Sequence, residues 1–303
     1  MRTLTRESVI YKFSPENPPI FSVEPGETFC VQTDDCFRSQ IQTETDLVTD
    51  VDFSRINPAT GPIDLKGIQP GDILAVDILD IEVGKQGVMV GIPEEGAFGD
   101  RITDAVTKVI PISDGKFFFT DEIAFPIQPM IGVIGVSPSD GEVPSGEIGE
   151  HGGNLDAKVM KKGARVYFLA RTEGAMFALG DAHAGMGDGE SVICGVETIA
   201  NVTLKLDLIH PQGFAPQRPV VEVDDKFVTI AHGSTLDEAA AKALGDMADL
   251  IRYKTKMNDP EIGMLISAVG DLKVCQIVDP QKTARVEMPK SALGLLADSP
   301  ILP

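Results

Sequence analysis

Two short stretches hold the residues best suited to chemistry: Gly149-Glu-His-Gly-Gly-Asn-Leu-Asp156 and Gly180-Asp-Ala-His-Ala-Gly-Met-Gly-Asp-Gly-Glu190. Of the four histidines in the chain, His151 and His183 lie here, each with a carboxylate no more than two residues away. Neutral imidazole and ionised carboxylate offer nitrogen and oxygen ligands to a divalent metal, and glycine lets the backbone turn tightly enough to bring them onto one ion. The same mixture also builds ordinary Gly-Asp turns and surface histidine–carboxylate pairs, and neither stretch matches H-E-x-x-H or the EF-hand loop. Pattern alone leaves both readings open.

Three other places carry candidate groups. In Gln32-Thr-Asp-Asp-Cys36 the adjacent acids Asp34 and Asp35 follow a predicted strand, Thr28 to Gln32, whose alternation sends them to opposite faces; Asp35 is the candidate ligand, against a solvated turn pair. Asn57-Pro-Ala-Thr-Gly-Pro-Ile63 is a rigid turn-rich segment in which Asn57 and the amide hydrogens beside Gly61 can meet a ligand, or which merely connects. Glu122, in Thr120-Asp-Glu-Ile-Ala-Phe-Pro126, suits a general acid or base, or a strand cap. Nucleophilic hydrolysis has less support, because Gly-x-Ser-x-Gly is absent and Cys36 has no histidine nearby in sequence. Metal-activated water needs no nucleophilic side chain and survives that comparison best.

The elements that must position these groups read mainly as short strands. Ile73 to Val83 is rich in β-branched residues and follows a Pro-Gly-Asp turn; Arg165 to Ala170 follows Lys161-Lys-Gly-Ala164 in the same order, a hint of a duplicated β unit. With 30 glycines and 21 prolines, turn signals are frequent enough to favour β-sandwich or barrel-like units over a parallel α/β sheet. A strand Ala175 to Leu179 is expected to lead into the second motif, read as a rim loop, with Ser191 to Val196 leading away. Helical signals come late. Ser234 and Thr235 cap an amphipathic run through Ile251, and a second helix opens at Asp259-Pro-Glu261 and stops at Gly270, before a strand Leu272 to Val278. The expected fold is therefore mainly β, with residues 1–215 as a β-rich catalytic region and 216–303 as a smaller α+β region completing the same unit. The tail from Lys290 is read as loosely held.

Net charge is −20, and no lysine or arginine cluster stands out, which argues against nucleic acid or an anionic membrane as partner. No apolar run approaches the ~20 residues of a transmembrane helix, and the first residues carry no export signal, so a cytoplasmic location is expected. Cys30, Cys36, Cys194 and Cys275 show no C-x-x-C spacing, which suits reduced thiols.

Five segments in order, Thr33-Asp-Asp35, Asn57-Pro-Ala-Thr-Gly-Pro62, Ile131-Gly-Val-Ile-Gly-Val-Ser-Pro138 and the two histidine motifs, make the chain resemble the acetamidase/formamidase family over most of its length. The resemblance implies hydrolysis of short aliphatic amides to acid and ammonia by a cytoplasmic homo-oligomer, dimer or tetramer, acting on a small neutral amide. It implies a divalent metal at the active site, with zinc favoured and calcium or magnesium as alternatives. Carried over by motif, Asp35, His151, Asp181, His183 and Glu190 are the expected ligands, with Glu190 or Glu150 as the proton-transferring acid. Asn57, Gly61 and Asp188 are the expected substrate contacts. Two rival readings remain: a non-enzymatic β-rich binding module with structural calcium, disfavoured by the absence of tryptophan, and an amidase built on Cys36.

Overall fold

The structure is a computed structural model describing residues 1–296 and 299–302. Two large sheets face each other. The first has nine strands, in the spatial order Arg2–Leu4, Thr28–Thr33, Ala200–Ile209, Ile73–Val83, Arg165–Leu169, Val220–Val223, Lys226–Gly233, Lys282–Pro289, Asp271–Val274. Strands on both sides of residue 215 thus share one sheet. Ile73–Val83 and Arg165–Leu169, the two segments with similar turns, are antiparallel neighbours at its centre, with Ile73 opposite Leu169 and Asp77 opposite Arg165.

The second sheet has twelve strands and is organised around Phe177–His183. That strand pairs antiparallel with Met130–Gly135 on one side, and with Ala59–Leu65 and then Glu197–Thr198 on the other. Between the sheets lies one apolar core, to which Phe29, Val76 and Leu204 contribute from the first and Ile131, Phe177 and Leu179 from the second. Apolar alternation on the facing surfaces makes this sandwich, since each sheet has one face to remove from water.

The helices cover the outer face of the first sheet. Helix α1 (Leu236–Lys254) is capped by Thr235, whose hydroxyl accepts from the Glu238 N–H at 3.2 Å. Its buried stripe of Ala239, Ala243, Met247, Leu250 and Ile251 packs on Ile73, Tyr167 and Phe227. Helix α2 (Asp259–Val269) opens at Asp259 and ends at Gly270, as its sequence predicts, and the structure adds an Asn258–Glu261 capping box. No helix among the described residues is long and apolar enough to cross a membrane.

Three expectations change. Residues 180–183 lie inside a central strand instead of a rim loop, and residues 191–196 form turns before the short strand Glu197–Thr198. The strand after Gly270 covers only Asp271–Val274, not Leu272 to Val278, and a further strand, Lys282–Pro289, follows it. The tail expected to be loosely held is anchored among the described residues at Ile301 and Leu302, which are buried in the helical core, with the Ile301 N–H donating to Glu222 Oε1 at 2.6 Å; residues 297, 298 and 303 lie outside the described residues. Two adjacent apolar residues at the end of the chain fill a gap that α1 and the sheet leave open.

Candidate active site

His183 is placed by the ladder. On the central strand it stands opposite Met130 on one neighbour and opposite Glu197 on the other, so the register brings the imidazole and the Glu197 carboxylate together. His183 Nε2 lies 3.0 Å from Glu197 Oε1 and 3.3 Å from Asp181 Oδ1. The Gly195 N–H also donates to Glu197 Oε1, at 2.8 Å, which fixes that carboxylate.

Asp181 reaches this position through an unusual backbone. Asp181, Asp156 and Glu190 have φ of +55°, +42° and +48°. Left-handed geometry is uncommon away from glycine and costs about 1 to 3 kcal/mol per residue, so three acids sharing it around one point mark a site the surrounding fold holds in place. Gly132 makes room for two of them, because a Cβ there would lie 2.5 Å from Asp181 Oδ2 and 2.6 Å from Asp156 Oδ1. Glu190 is held from the C-terminal part of the chain. Next to it, the Gly189 N–H donates to Cys275 O at 2.7 Å and Gly189 O accepts from the Ile277 N–H at 3.2 Å. Arg285 grips Asp188 with two bonds of 2.9 Å.

The result is a buried acidic constellation. Asp156, His183 and Glu190 each offer a ligand atom within 4.8 Å of the others, and so do Cys36, Asp181 and Glu197. Burial raises the pKa of Glu190 and Asp156 well above the carboxylate range, assisted by the neighbouring acids, and lifts Glu197 to about 8. For His183, burial opposes the charged form, but the facing Glu197 and Asp181 carboxylates outweigh it and raise its pKa. Asp156 Oδ1, Glu197 Oε2 and His183 Nδ1 are buried without a hydrogen-bond partner. Orphaned acceptors among crowded acids are the environment a cation completes. His183 Nε2 stands 3.3 and 3.0 Å from the Asp181 and Glu197 oxygens, close enough for one cation to take all three. The donor set fits a divalent metal.

The acids of the constellation, Asp156, Asp181, Glu190 and Glu197, line a cavity of about 530 Å³ whose walls include Asn57, Phe37, Asn154, Ile193 and Asp279, and His183 lies buried behind them. A second cavity, about 450 Å³ and lined by Phe117, Phe119, Phe125 and Met186, meets the first at Glu190.

The family model for the acetamidase/formamidase family matches residues 3–145 and 142–289. The chain belongs to this family. It is 44% identical to the acetamidase of Bacillus halodurans, covering 97% of this chain and 100% of that one at a TM-score of 0.94. It is 42% identical to a recombinant predicted acetamidase/formamidase of Thermoanaerobacter tengcongensis, with 96% of each chain covered and a TM-score of 0.94. Similarity to the formamidase of Methylophilus methylotrophus is 27% over 257 residues, which is 65% of this chain and 63% of that protein's length.

Of the residues that sequence motifs single out in this chain, Asp181, His183 and Glu190 converge. Asp35 lies beside the cluster, near enough for Asp181 to act on it, but its Oδ1 already accepts from the Phe37 and Ser39 N–H groups at 2.9 and 3.0 Å; burial lifts its pKa to about 6. Glu150 and His151 form the turn of a tight hairpin between Ile148–Gly149 and Gly152–Asn154. His151 packs edge-on against Phe13 at 5.0 Å, belongs to neither ligand group, and is pushed down to a pKa of about 4 by burial and by nearby Arg171 and His232. Glu150 is exposed and pairs with Arg171 at 3.2 Å and Arg218 at 3.9 Å. Asp188 points at Arg285 and borders the apolar cavity. Asn57 lines the acidic cavity, whereas the Gly61 N–H is taken by Ser8 O at 3.1 Å. Glu122 is exposed.

Sequence reasoning passed over Glu197 and Asp279. Glu197 has no histidine close in sequence and is supplied by strand register. Asp279 carries one usable signal, the Asp-Pro pair of a turn, and burial raises its pKa to about 7 with Asp181 adding to the effect. All four cysteines are free and buried.

Proposed function

We propose that the protein hydrolyses short aliphatic amides such as acetamide and formamide to the carboxylic acid and ammonia, using water activated by a divalent metal. One observation carries the reading: imidazole and carboxylate groups from distant strands converge, with buried unpartnered ligand atoms, and the carboxylates line a cavity that has room for a small neutral substrate. The acetamidase and formamidase relatives supply the substrate class.

Asp181 and Glu197, which group with the Cys36 sulfur, would hold the ion together with His183, whose Nε2 lies 3.3 and 3.0 Å from their oxygens; imidazole, carboxylate and thiol together suit zinc better than calcium or magnesium. Bound there, the metal would lower the pKa of water from about 15.7 toward about 7 and polarise the amide carbonyl. Glu190 faces His183 and is the carboxyl group placed to carry a proton to the departing nitrogen, a poor leaving group until protonated. Asp156 shares the charge of the site across Gly132. The Cys36 thiol is raised well above its ordinary pKa by burial and by Glu197, Asp181 and Asp35, which makes it a weak nucleophile. We infer a cytoplasmic homo-oligomer; exposed Phe119, Ile123 and Phe125 on one hairpin offer an apolar contact surface for a second subunit.

The test pairs elemental analysis with ammonia release from formamide, acetamide and propionamide. Zinc at one or more ions per chain is expected, with activity lost on dipicolinate treatment and restored by zinc. Full activity in metal-free protein, or no ammonia from any of the three amides, would overturn the reading.

A further inference from the structure

The cavity wall carries a pair of groups that metal ligation leaves unused. Asn154 ends the short strand Gly152–Asn154, two residues before Asp156, and is only 5% exposed. Its backbone N–H donates to Glu147 O at 3.0 Å, and its side-chain Nδ2 donates to Asp279 Oδ2 at 2.9 Å. That bond fixes which end of the amide faces which way. The remaining atom, Asn154 Oδ1, is buried and has no hydrogen-bond partner. Asn154 and Asp279 both line the acidic cavity, beside the carboxylates of Asp156, Asp181, Glu190 and Glu197.

An unsatisfied buried acceptor costs roughly 1–3 kcal/mol, and a ligand bearing N–H donors relieves that cost. A primary amide presents two N–H hydrogens on one nitrogen, and an ester or N,N-dialkyl amide of similar shape presents none. Building on the amidase reading, we infer that Asn154, held in place by Asp279, reads the NH2 group of the substrate and confines the site to primary amides. Such a site rejects a donor-lacking analogue because the analogue leaves its own buried acceptors unpaired.

The experiment compares acetamide with methyl acetate in the metal-loaded protein, Asn154→Leu and Asp279→Asn. Methyl acetate is followed as a substrate or, if it is not turned over, as a competitive inhibitor of ammonia release. Asn154→Leu removes both the acceptor and the support of Asp279. Asp279→Asn keeps the shape but presents a carboxamide that can pair with Asn154 in either orientation, so Oδ1 is no longer held in one direction. Both variants should lose preference for acetamide over methyl acetate by about 30-fold or more, with zinc content and melting temperature near wild type. An unchanged preference, or equal losses on both compounds, would overturn the inference while leaving the amidase reading intact. Absence of ammonia release from acetamide and formamide in the wild-type protein would remove both.

Discussion

In residues 180–190 the histidine and two acids converge on one point, whereas in residues 149–156 the histidine packs on Phe13 outside both ligand groups, and the asparagine and final aspartate line the cavity. Composition does not separate the two stretches, and neither does burial, since His183 is 0% and His151 3% exposed. Their place in the sheet does. His183 closes the central strand Phe177–His183 with a paired residue on each side, Met130 and Glu197, so its direction and its partner Glu197 are set by register. His151 occupies a two-residue hairpin turn with Glu150, where the chain reverses and side chains leave the face that the flanking strands share. A motif rich in metal-ligand types becomes a site only where the ladder aims it.

The sharpest way to break this contrast is to remove each imidazole in turn. His183→Ala should lower kcat/KM for acetamide by about 10³-fold or more, equal to about 4 kcal/mol, and should reduce bound zinc. His151→Ala should keep zinc and leave kcat/KM within about threefold, with stability reduced by about 1–2 kcal/mol through loss of the Phe13 contact. Equal catalytic damage from both would restore His151 to the centre.

The acids allow a second, smaller comparison. Glu190 is 7% exposed and lines the cavity, and Glu150 stands in solvent between two arginines. Glu190→Gln should cost about 10² to 10³ in kcat, the range of a positioned proton donor, while Glu150→Gln should change it by less than about twofold. A large effect at Glu150 would point to a catalytic path outside the cavity.

How much of this was legible follows the same division. Strand Ile73–Val83, both helices and their caps are local, and β-branched runs, Thr235, Asn258 and Gly270 mark them directly. Asp181, His183 and Glu190 are close in sequence, so one motif contains them. Glu197 is brought to His183 by the pairing of two strands, and Asp279 to Asn154 across 125 residues. Pairing register depends on the whole sheet, and no window of sequence holds it. The left-handed backbone of Asp156, Asp181 and Glu190 is equally hidden, because tertiary packing, not local preference, maintains it.

The two motifs also differ in what anchors them, and this gives the smallest of the expected effects. Glu150 ties the first to arginines at the surface; Asp188 ties the second to buried Arg285, whose Nε donates to Glu287 Oε1 at 2.9 Å. Glu287 Oε2 also accepts from Lys226 at 2.9 Å and Lys273 at 2.8 Å. Burial alone would raise the Glu287 pKa, but Lys273, Lys226 and Arg285 outweigh it and lower the value from 4.5 to about 2. A carboxylate whose folded pKa lies below its unfolded one contributes stability above the unfolded value, and that contribution disappears as pH falls through the folded value. The window is therefore pH 4.5 down to 2. Allowing for solvent screening, wild-type protein should lose about 2 kcal/mol more than Glu287→Gln across it, measured by urea denaturation at stepped pH. Parallel curves would mean that these three cations do not hold Glu287 ionised, and that the second motif rests on its backbone bonds to Cys275 and Ile277 instead of on a buried ionic anchor.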